Sequence, residues 1–356
     1  MKTRPSPDDV RERMREIQSF IKANAITPAR TINIDETSIV FGEALKYQYV
    51  TQNCSRAASP PETAGRLTLV LILGSSASGS FLPMFFIAKC NVADSTDYRS
   101  STVLNQLLDD RSFGSGYWTT RTWSIELEVG DQTTVHYRPY LINEHNDIIT
   151  VQNNAWNDSV GMMMYAQLLL KSYRLNLLGE ETCLLVMDNF AAHTTESVRI
   201  AIEDVGFHVK CLPANMTDEL QPMDLAAVNA QLKAEMRKAR IHAIFSDLQE
   251  FRTRVAEAHD NNTQPLPAFK PRPPKLVDII KDVISAARGK FTTPAFIQSM
   301  QRVFRQVGLA ETVLGDQKYF VQYNESQRPA EEARNHQDSD LGSIENLVHL
   351  IEIAEV

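Results

Sequence analysis

Short apolar runs alternate with amphipathic stretches along this chain, which is the pattern of an α/β protein. Val10, Met14, Ile17 and Ile21 fall at spacings of 4, 3 and 4 and predict a short helix over 8–24, ended by Pro28. Residues 31–39 then switch to a period of two, with Asn33, Asp35 and Thr37 on one face and Glu36 on the other. Further strands are expected at 47–51, 66–73 and 81–88. The Gly/Ser stretch 74–79 reads as a hairpin turn, because no Lys-Ser/Thr follows it as a phosphate-binding loop requires. Residues 91–155 are polar and less regular, with a hairpin running from 121–129 through Gly130-Asp131 into 133–141. They read as an insertion on a core, with Trp118, Trp123 and Trp156 packing it.

A Met- and Leu-rich helix is predicted over 159–174, capped by Asn157 or Asp158. Leu184-Leu185-Val186-Met187 has the continuous apolar character of a strand buried on both faces, and it stops at Asp188. Thr194 or Thr195 can cap the next helix, which Gly206 closes, and 207–212 alternates as a strand. Pro222 suits a first helical position, which puts Asp224 in the first turn. From there one stripe continues through Leu225, Val228, Leu232, Met236, Ala239 and Ala243, with Lys233, Arg237, Lys238, Arg240 and His242 mainly off it. That basic face reads either as a nucleic-acid contact or as a solvated helix surface. Residues 261–274 hold five prolines, an extended linker or strap, and two short helices follow over 276–288 and 293–308. The expected organisation is an N-terminal helix (1–30), a catalytic-type domain (31–250), a Pro-rich linker (251–275), C-terminal helices (276–312) and an acidic tail (313–356).

Composition changes this picture little, but charge does. The formal charge of −8 over 356 residues speaks against nucleic acid at first sight. Residues 331–356, however, carry seven acids against Arg334 alone, so the rest of the chain is near neutral and local basic patches decide the partner. Cys54, Cys90, Cys183 and Cys211 are scattered without a C-x-x-C pair, which suggests neither a zinc site nor a disulfide framework. No apolar run approaches the length needed to span a bilayer, so no membrane role is expected.

The candidate chemistry lies in three acids. Asp35 sits inside a strand, where Asp is disfavoured; Asp188 ends a central strand; Asp224 opens a helix, with 35 residues separating the last two. Each has an ordinary explanation, as an edge acid, a loop acid or a first-turn acid favoured by the helix dipole. If they converge, three carboxylates stay ionised together only with cations present. Oxygen-only ligands select Mg²⁺ or Mn²⁺, and a pair of such ions suits in-line phosphoryl displacement.

Three segments carry a resemblance: Asn33-Ile34-Asp35-Glu36-Thr37, then Met187-Asp188-Asn189-Phe190-Ala191-Ala192-His193, then Leu212-Pro213-Ala214-Asn215-Met216-Thr217 running on to Leu220-Gln221-Pro222-Met223-Asp224. In order and spacing they resemble the DDE superfamily of transposase-derived endonucleases, in its pogo and Jerky-like branch, over about residues 31–245. The resemblance implies an RNase H-like fold, a mixed five-stranded sheet flanked by helices. It also implies metal-dependent DNA strand cleavage and transfer with two Mg²⁺ or Mn²⁺ ions held by Asp35, Asp188 and Asp224. Asn189 and His193 match accessory positions, and Lys233, Arg237, Lys238 and Arg240 are the DNA-binding candidates. DNA in the nucleus is the implied partner, and a homodimer stays open. About 30 residues precede Asp35, which leaves no room for the helix-turn-helix modules usual in that family. The chain is thus expected to be either a fragment of a longer element or one whose module is lost. The alternative is a domesticated, catalytically quiet DNA- or chromatin-binding scaffold.

Overall fold

Ser6 opens the first helix with a reciprocal cap: its hydroxyl accepts the Asp9 N–H at 3.2 Å, and the Asp9 carboxylate accepts the Ser6 N–H at 3.2 Å. Helix α1 (Pro7–Ala23) then buries Val10, Met14, Ile17 and Ile21, the predicted stripe. The computed structural model describes residues 5–40, 68–90, 101–110, 113–114, 116–129, 132–153, 157–189, 195–260, 272 and 274–310. The strand expected at 47–51, Cys54, Trp156, His193 and the acidic tail lie outside them.

β1 (Thr31–Val40) is the strand around which the sheet is built. On one side it pairs antiparallel with β2 (Thr68–Ser76), which pairs antiparallel with β3 (Phe85–Lys89). After α2 (Thr102–Asp109), β4 (Trp118–Val129) and β5 (Gln132–Asn143) form a hairpin of two twelve-residue strands, and β6 (Ile148–Gln152) follows. A helical run over 159–178 comes next. In it α3 (Ser159–Tyr165) and α4 (Lys171–Tyr173) alternate with π-helical turns at Ala166–Leu170 and Arg174–Leu178. The Asp158 carboxylate caps it by accepting the Gly161 N–H at 2.7 Å. β7 (Cys183–Met187), α5 (Glu196–Asp204) and β8 (Phe207–Cys211) complete the sheet, with β1–β7 and β7–β8 both parallel.

The sheet order is β4-β5-β6-β3-β2-β1-β7-β8. Its last five strands are the mixed, RNase H-like core that the resemblance implies, but the sheet has eight strands where five were expected. The reason lies in the region read as an insertion. β6 pairs parallel with β3 from Phe85–Ile148 to Lys89–Gln152, so the edge of the five-stranded core is covered, and β5 and β4 extend the sheet further. Trp118 and Trp123 are buried, and the Trp123 indole N–H donates to the Gln167 side chain at 3.0 Å.

The core on one face joins Ile32, Ile34, Ile72, Phe85, Leu185 and Met187 of the sheet to Met162, Met163, Met164, Tyr165 and Leu169, with Val198 and Ile202 of α5. The three consecutive methionines therefore fill the core between the helical run and the sheet.

α6 (Thr217–Leu220), α7 (Pro222–Leu225), α8 (Val228–Asp260), α9 (Leu276–Phe291) and α10 (Pro294–Gln306) follow. The helix expected to run unbroken past Asp224 is interrupted. Ala227 takes φ +52°, so Asp224 stands on its own single-turn helix, and only then does α8 begin. The predicted stripe is fully buried only at Val228 and Leu232; Met236 and Ala239 are half-buried and Ala243 is exposed. α8 continues to Asp260, through the first ten residues of the expected 251–275 linker and up to the proline-bearing stretch 261–274.

Asp147, 1% exposed, joins the turn before β6 to the C-terminal helices. It accepts from the Met84 N–H at 2.9 Å and the Asn143 amide at 3.0 Å, and it pairs with Arg288 of α9. Gly79, at φ +87°, lets the β2–β3 turn meet α10 closely, since a Cβ there would sit 2.7 Å from Ile297. All described residues fall in one compact unit, Met1–Glu311. Among them no helix is long and apolar enough to cross a membrane.

Candidate active site

The parallel register of β1 and β7 ends at Asn33–Val186, and two residues further on each strand carries an acid: Asp35 on β1, Asp188 just past the end of β7. Asp224 reaches the same place from α7. The tie is Asn33, which is fully buried. Its amide donates to the Val186 carbonyl at 2.9 Å, and its side-chain oxygen accepts the Met223 N–H at 3.1 Å. One side chain thus holds the backbone two residues before Asp188 and one residue before Asp224, from a strand position two residues before Asp35.

The electrostatics show the resulting proximity. Burial first, and the neighbouring Asp224 second, push the Asp35 carboxyl up to about 7 from 3.8. Asp224 is raised as well, first by partial removal from water and then by Asp188 and Asp218, while a side-chain hydrogen bond to Asp35 works the other way. Asp224 is therefore linked to both other acids. The three expected residues come together from positions far apart in sequence.

Two amides complete the wall around Asp35. Asn229, in the first turn of α8, donates its Nδ2–H to Asp35 Oδ2, and the Gln221 side chain also hydrogen-bonds to the Asp35 carboxyl. The acceptor oxygens of both amides, Gln221 Oε1 and Asn229 Oδ1, are buried without a hydrogen-bond partner among the described residues. The sequence pattern puts Asn33 on the Asp35 face of β1 and Gln221 inside the third motif segment without giving either a role, and it does not single out Asn229. The signal available was position: Asn33 shares the Asp35 face of β1, and Asn229 stands five residues after Asp224.

Of the other candidates, Asn189 is exposed next to Asp188, and His193 lies outside the described residues. Arg237 and Lys238 are exposed on α8, with Lys238 paired to Glu235 at 3.1 Å. Lys233 is half-buried, and Arg240 donates to the Arg272 carbonyl at 2.6 Å. At a rise of about 1.5 Å per residue, Lys233 stands roughly 6 Å and Arg240 roughly 16 Å along the axis from Asn229, so the basic face leads away from the acids. α1 adds a further cation: Arg13 donates to the Cys211 carbonyl at 3.2 Å. Cys211 lies between Arg13 and Asp188 electrostatically, and burial raises its thiol.

The donors converging here are oxygens, a set that suits a hard divalent cation such as Mg²⁺ or Mn²⁺. Among the described residues, no group of three or more His, Cys, Asp or Glu forms a ready ion-holding cluster. The raised carboxyls and the orphaned amide oxygens beside them are the observations with which a cation fits.

Residues 137–286 match the family described as DDE superfamily endonuclease. The DDE superfamily match takes in Asp188 and Asp224, whereas Asp35 precedes it. No curated protein matches the chain. Among solved structures, the chain is similar to the Mos1 mariner paired end complex with Mn at 11% identity and a TM-score of 0.42, covering 87% of this chain and 63% of that one. It is similar to a pre-cleavage Mos1 transpososome at 10% identity and a TM-score of 0.41, covering 90% and 63%. For the catalytic domain of Mos1 mariner transposase the values are 11% and 0.38, covering 87% and 91%. The chain thus spans 63% of the length of the first of these structures. The overlays are loose, and the sheet order described above is what carries the RNase H-like fold.

Proposed function

We propose that this chain is the catalytic core of a transposase-derived DNA endonuclease of the pogo and Jerky-like branch, cutting and joining phosphodiester bonds with Mg²⁺ or Mn²⁺. The observation that carries this reading is the juxtaposition of Asp35, Asp188 and Asp224, linked through Asp224 and tied by Asn33. The DDE superfamily match over the last two acids supports it. Bound as a pair, such ions would neutralise charge on the phosphoryl oxygens of an in-line displacement. The chain's own part is to hold them with the three carboxylates and to fix those carboxylates by the Asn33 hydrogen bonds. The exposed cations of α8, Arg237 and Lys238, with Lys233 beside them, would bind the phosphate backbone leading into the site, and Arg13 would line its other side. Asn189 is an accessory contact next to Asp188. DNA as substrate, work in the nucleus and pairing of two copies belong to the same proposal.

Nicking of supercoiled DNA with Mg²⁺ or Mn²⁺ tests the reading. Wild-type protein should nick, and Asp35→Asn, Asp188→Ala and Asp224→Ala should each remove the activity. Wild-type protein no more active than Asp188→Ala overturns it and leaves the scaffold reading.

A further inference from the structure

Two amides with buried oxygens, beside one half-buried acid, form an arrangement that hydrogen bonding among the described residues does not complete. Gln221 is 1% exposed, and its side chain hydrogen-bonds to Asp35 while Oε1 has no partner among the described residues. Asn229 repeats the pattern from a different helix: Nδ2 donates to Asp35 Oδ2 while Oδ1 is buried and without a partner. A buried acceptor left unpaired loses its hydration without replacement, and two such acceptors stand at one carboxylate. Neither amide is there by loose placement. Gln221 is the residue before α7, and its carbonyl accepts from Asp224 N–H at 3.1 Å and Leu225 N–H at 3.0 Å; Asn229 lies in the first turn after the Ala227 break. Both are therefore positioned by the same backbone that presents Asp224. Asn157 Oδ1 is orphaned too, but its amide meets Glu36, on the opposite face of β1.

Carboxamide oxygens are hard, neutral donors. Mg²⁺, Mn²⁺ and Ca²⁺ accept them alongside carboxylates, and they fill coordination positions without adding to the repulsion among acids. We propose that Gln221 and Asn229 are further members of the divalent-cation site, supplying neutral oxygen ligands to the ion held by Asp35. The inference rests on the metal-dependent reading above and extends it beyond the three acids. It makes the site a mixed carboxylate and carboxamide one, selective for hard cations that tolerate neutral oxygens.

The test is Mn²⁺ and Mg²⁺ titration of the full chain by calorimetry, together with the metal-induced rise in unfolding temperature, neither of which needs turnover. Gln221→Met keeps length and removes the acceptor, and Asn229→Ala removes the second amide. Each should weaken Mn²⁺ binding by about tenfold, the lower end of what loss of a group supporting a metal site produces. The metal-free unfolding temperature should not fall in Gln221→Met. Asn229→Asp, which places a charged oxygen at the same position, should tighten Mn²⁺ binding by about tenfold and serves if Gln221→Met does not fold. If Asp35→Asn abolishes binding while the Gln221 and Asn229 variants all bind as wild type does, this inference is overturned and the functional reading stands. If wild-type protein binds neither ion, or binds as well after Asp35→Asn, the functional reading falls and this inference with it.

Discussion

The Asn33 side chain accepts the Met223 N–H at 3.1 Å across a sequence separation of 190 residues. With its second bond, to the Val186 carbonyl, it fixes α7 against the junction of β1 and β7. Asn33→Ala leaves a buried N–H and a buried C=O unpaired, each costing about 1–3 kcal/mol. The expected loss is about 2–4 kcal/mol of unfolding free energy, read from denaturant titration, together with weaker divalent-ion binding. A loss below about 1 kcal/mol would show that the tie is replaceable.

Asp35 should make metal-free stability depend on pH in the direction opposite to an ion-paired acid. Its folded value is raised to about 7 from 3.8, so between these values the folded state holds a proton that the unfolded state has released. Stability contributed by this group is therefore full below about pH 4 and declines as pH rises to about 7, after which it is level. Asp35→Asn should remove that decline, and Mg²⁺ should stabilise wild-type protein more at pH 8 than at pH 5. Parallel pH curves for wild type and Asp35→Asn in metal-free buffer would count against it.

Ala227, at φ +52°, occupies the left-handed region that costs an alanine roughly 1–2 kcal/mol. Its N–H donates to the Asp224 carbonyl at 2.8 Å, so the break is bonded in place. Ala227→Gly should raise stability by about 0.5–1 kcal/mol after the greater chain entropy of glycine is counted. A fall in the denaturation midpoint would mean that the methyl group makes contacts worth more than the strain.

Arg288 and the fully buried Asp147 should behave as a pair whose disruption is costly. Arg288→Met leaves the Asp147 carboxylate with only the Met84 N–H and the Asn143 amide, and should destabilise by about 3–5 kcal/mol. Asp147→Asn combined with Arg288→Met should recover part of that loss. Equal stabilities for the single and double variants would show the charge is not the cause.

The α8 cations should appear in the salt dependence of DNA binding. Arg237→Gln and Lys233→Gln should each lower the slope of log affinity against log salt by about 1, while Arg240→Gln, already engaged with the Arg272 carbonyl, should change it less. Equal slopes for wild type and Arg237→Gln would remove that residue from the interface.

Much of this fold was readable because burial and periodicity coincide. The run 184–187 is buried on both faces, and the α1 stripe is the buried one. Asp35 was readable because a strand interior disfavours Asp, whereas Asp188 and Asp224 stand where loop and first-turn acids are ordinary and stood out only through the motif segments around them. β6 was not, because five strand residues inside a polar stretch gain their order from β3, a partner 63 residues earlier. The break at Ala227 was not either, since alanine carries no turn signal and helix periodicity runs straight through it. The roles of Gln221 and Asn229 depend on which way an amide points, which tertiary contact decides. Arg240 shows the same limit: its place on a basic face is plain, its engagement with Arg272 is not.

The pairing of β1 with β7 also sets an order in time. β1 leaves the ribosome first and its parallel partner some 150 residues later, at synthesis rates of about 5–20 residues per second a delay of roughly 8–30 s. Until then Asp35 has neither Asp188 nor the α7 backbone beside it, and the Asn33 amide has nothing to bind. A nascent chain that ends before β7 would carry Asp35 as a solitary carboxylate. Assembly of the three-acid cluster is thus withheld by connectivity alone, and completed only when the chain has closed on itself.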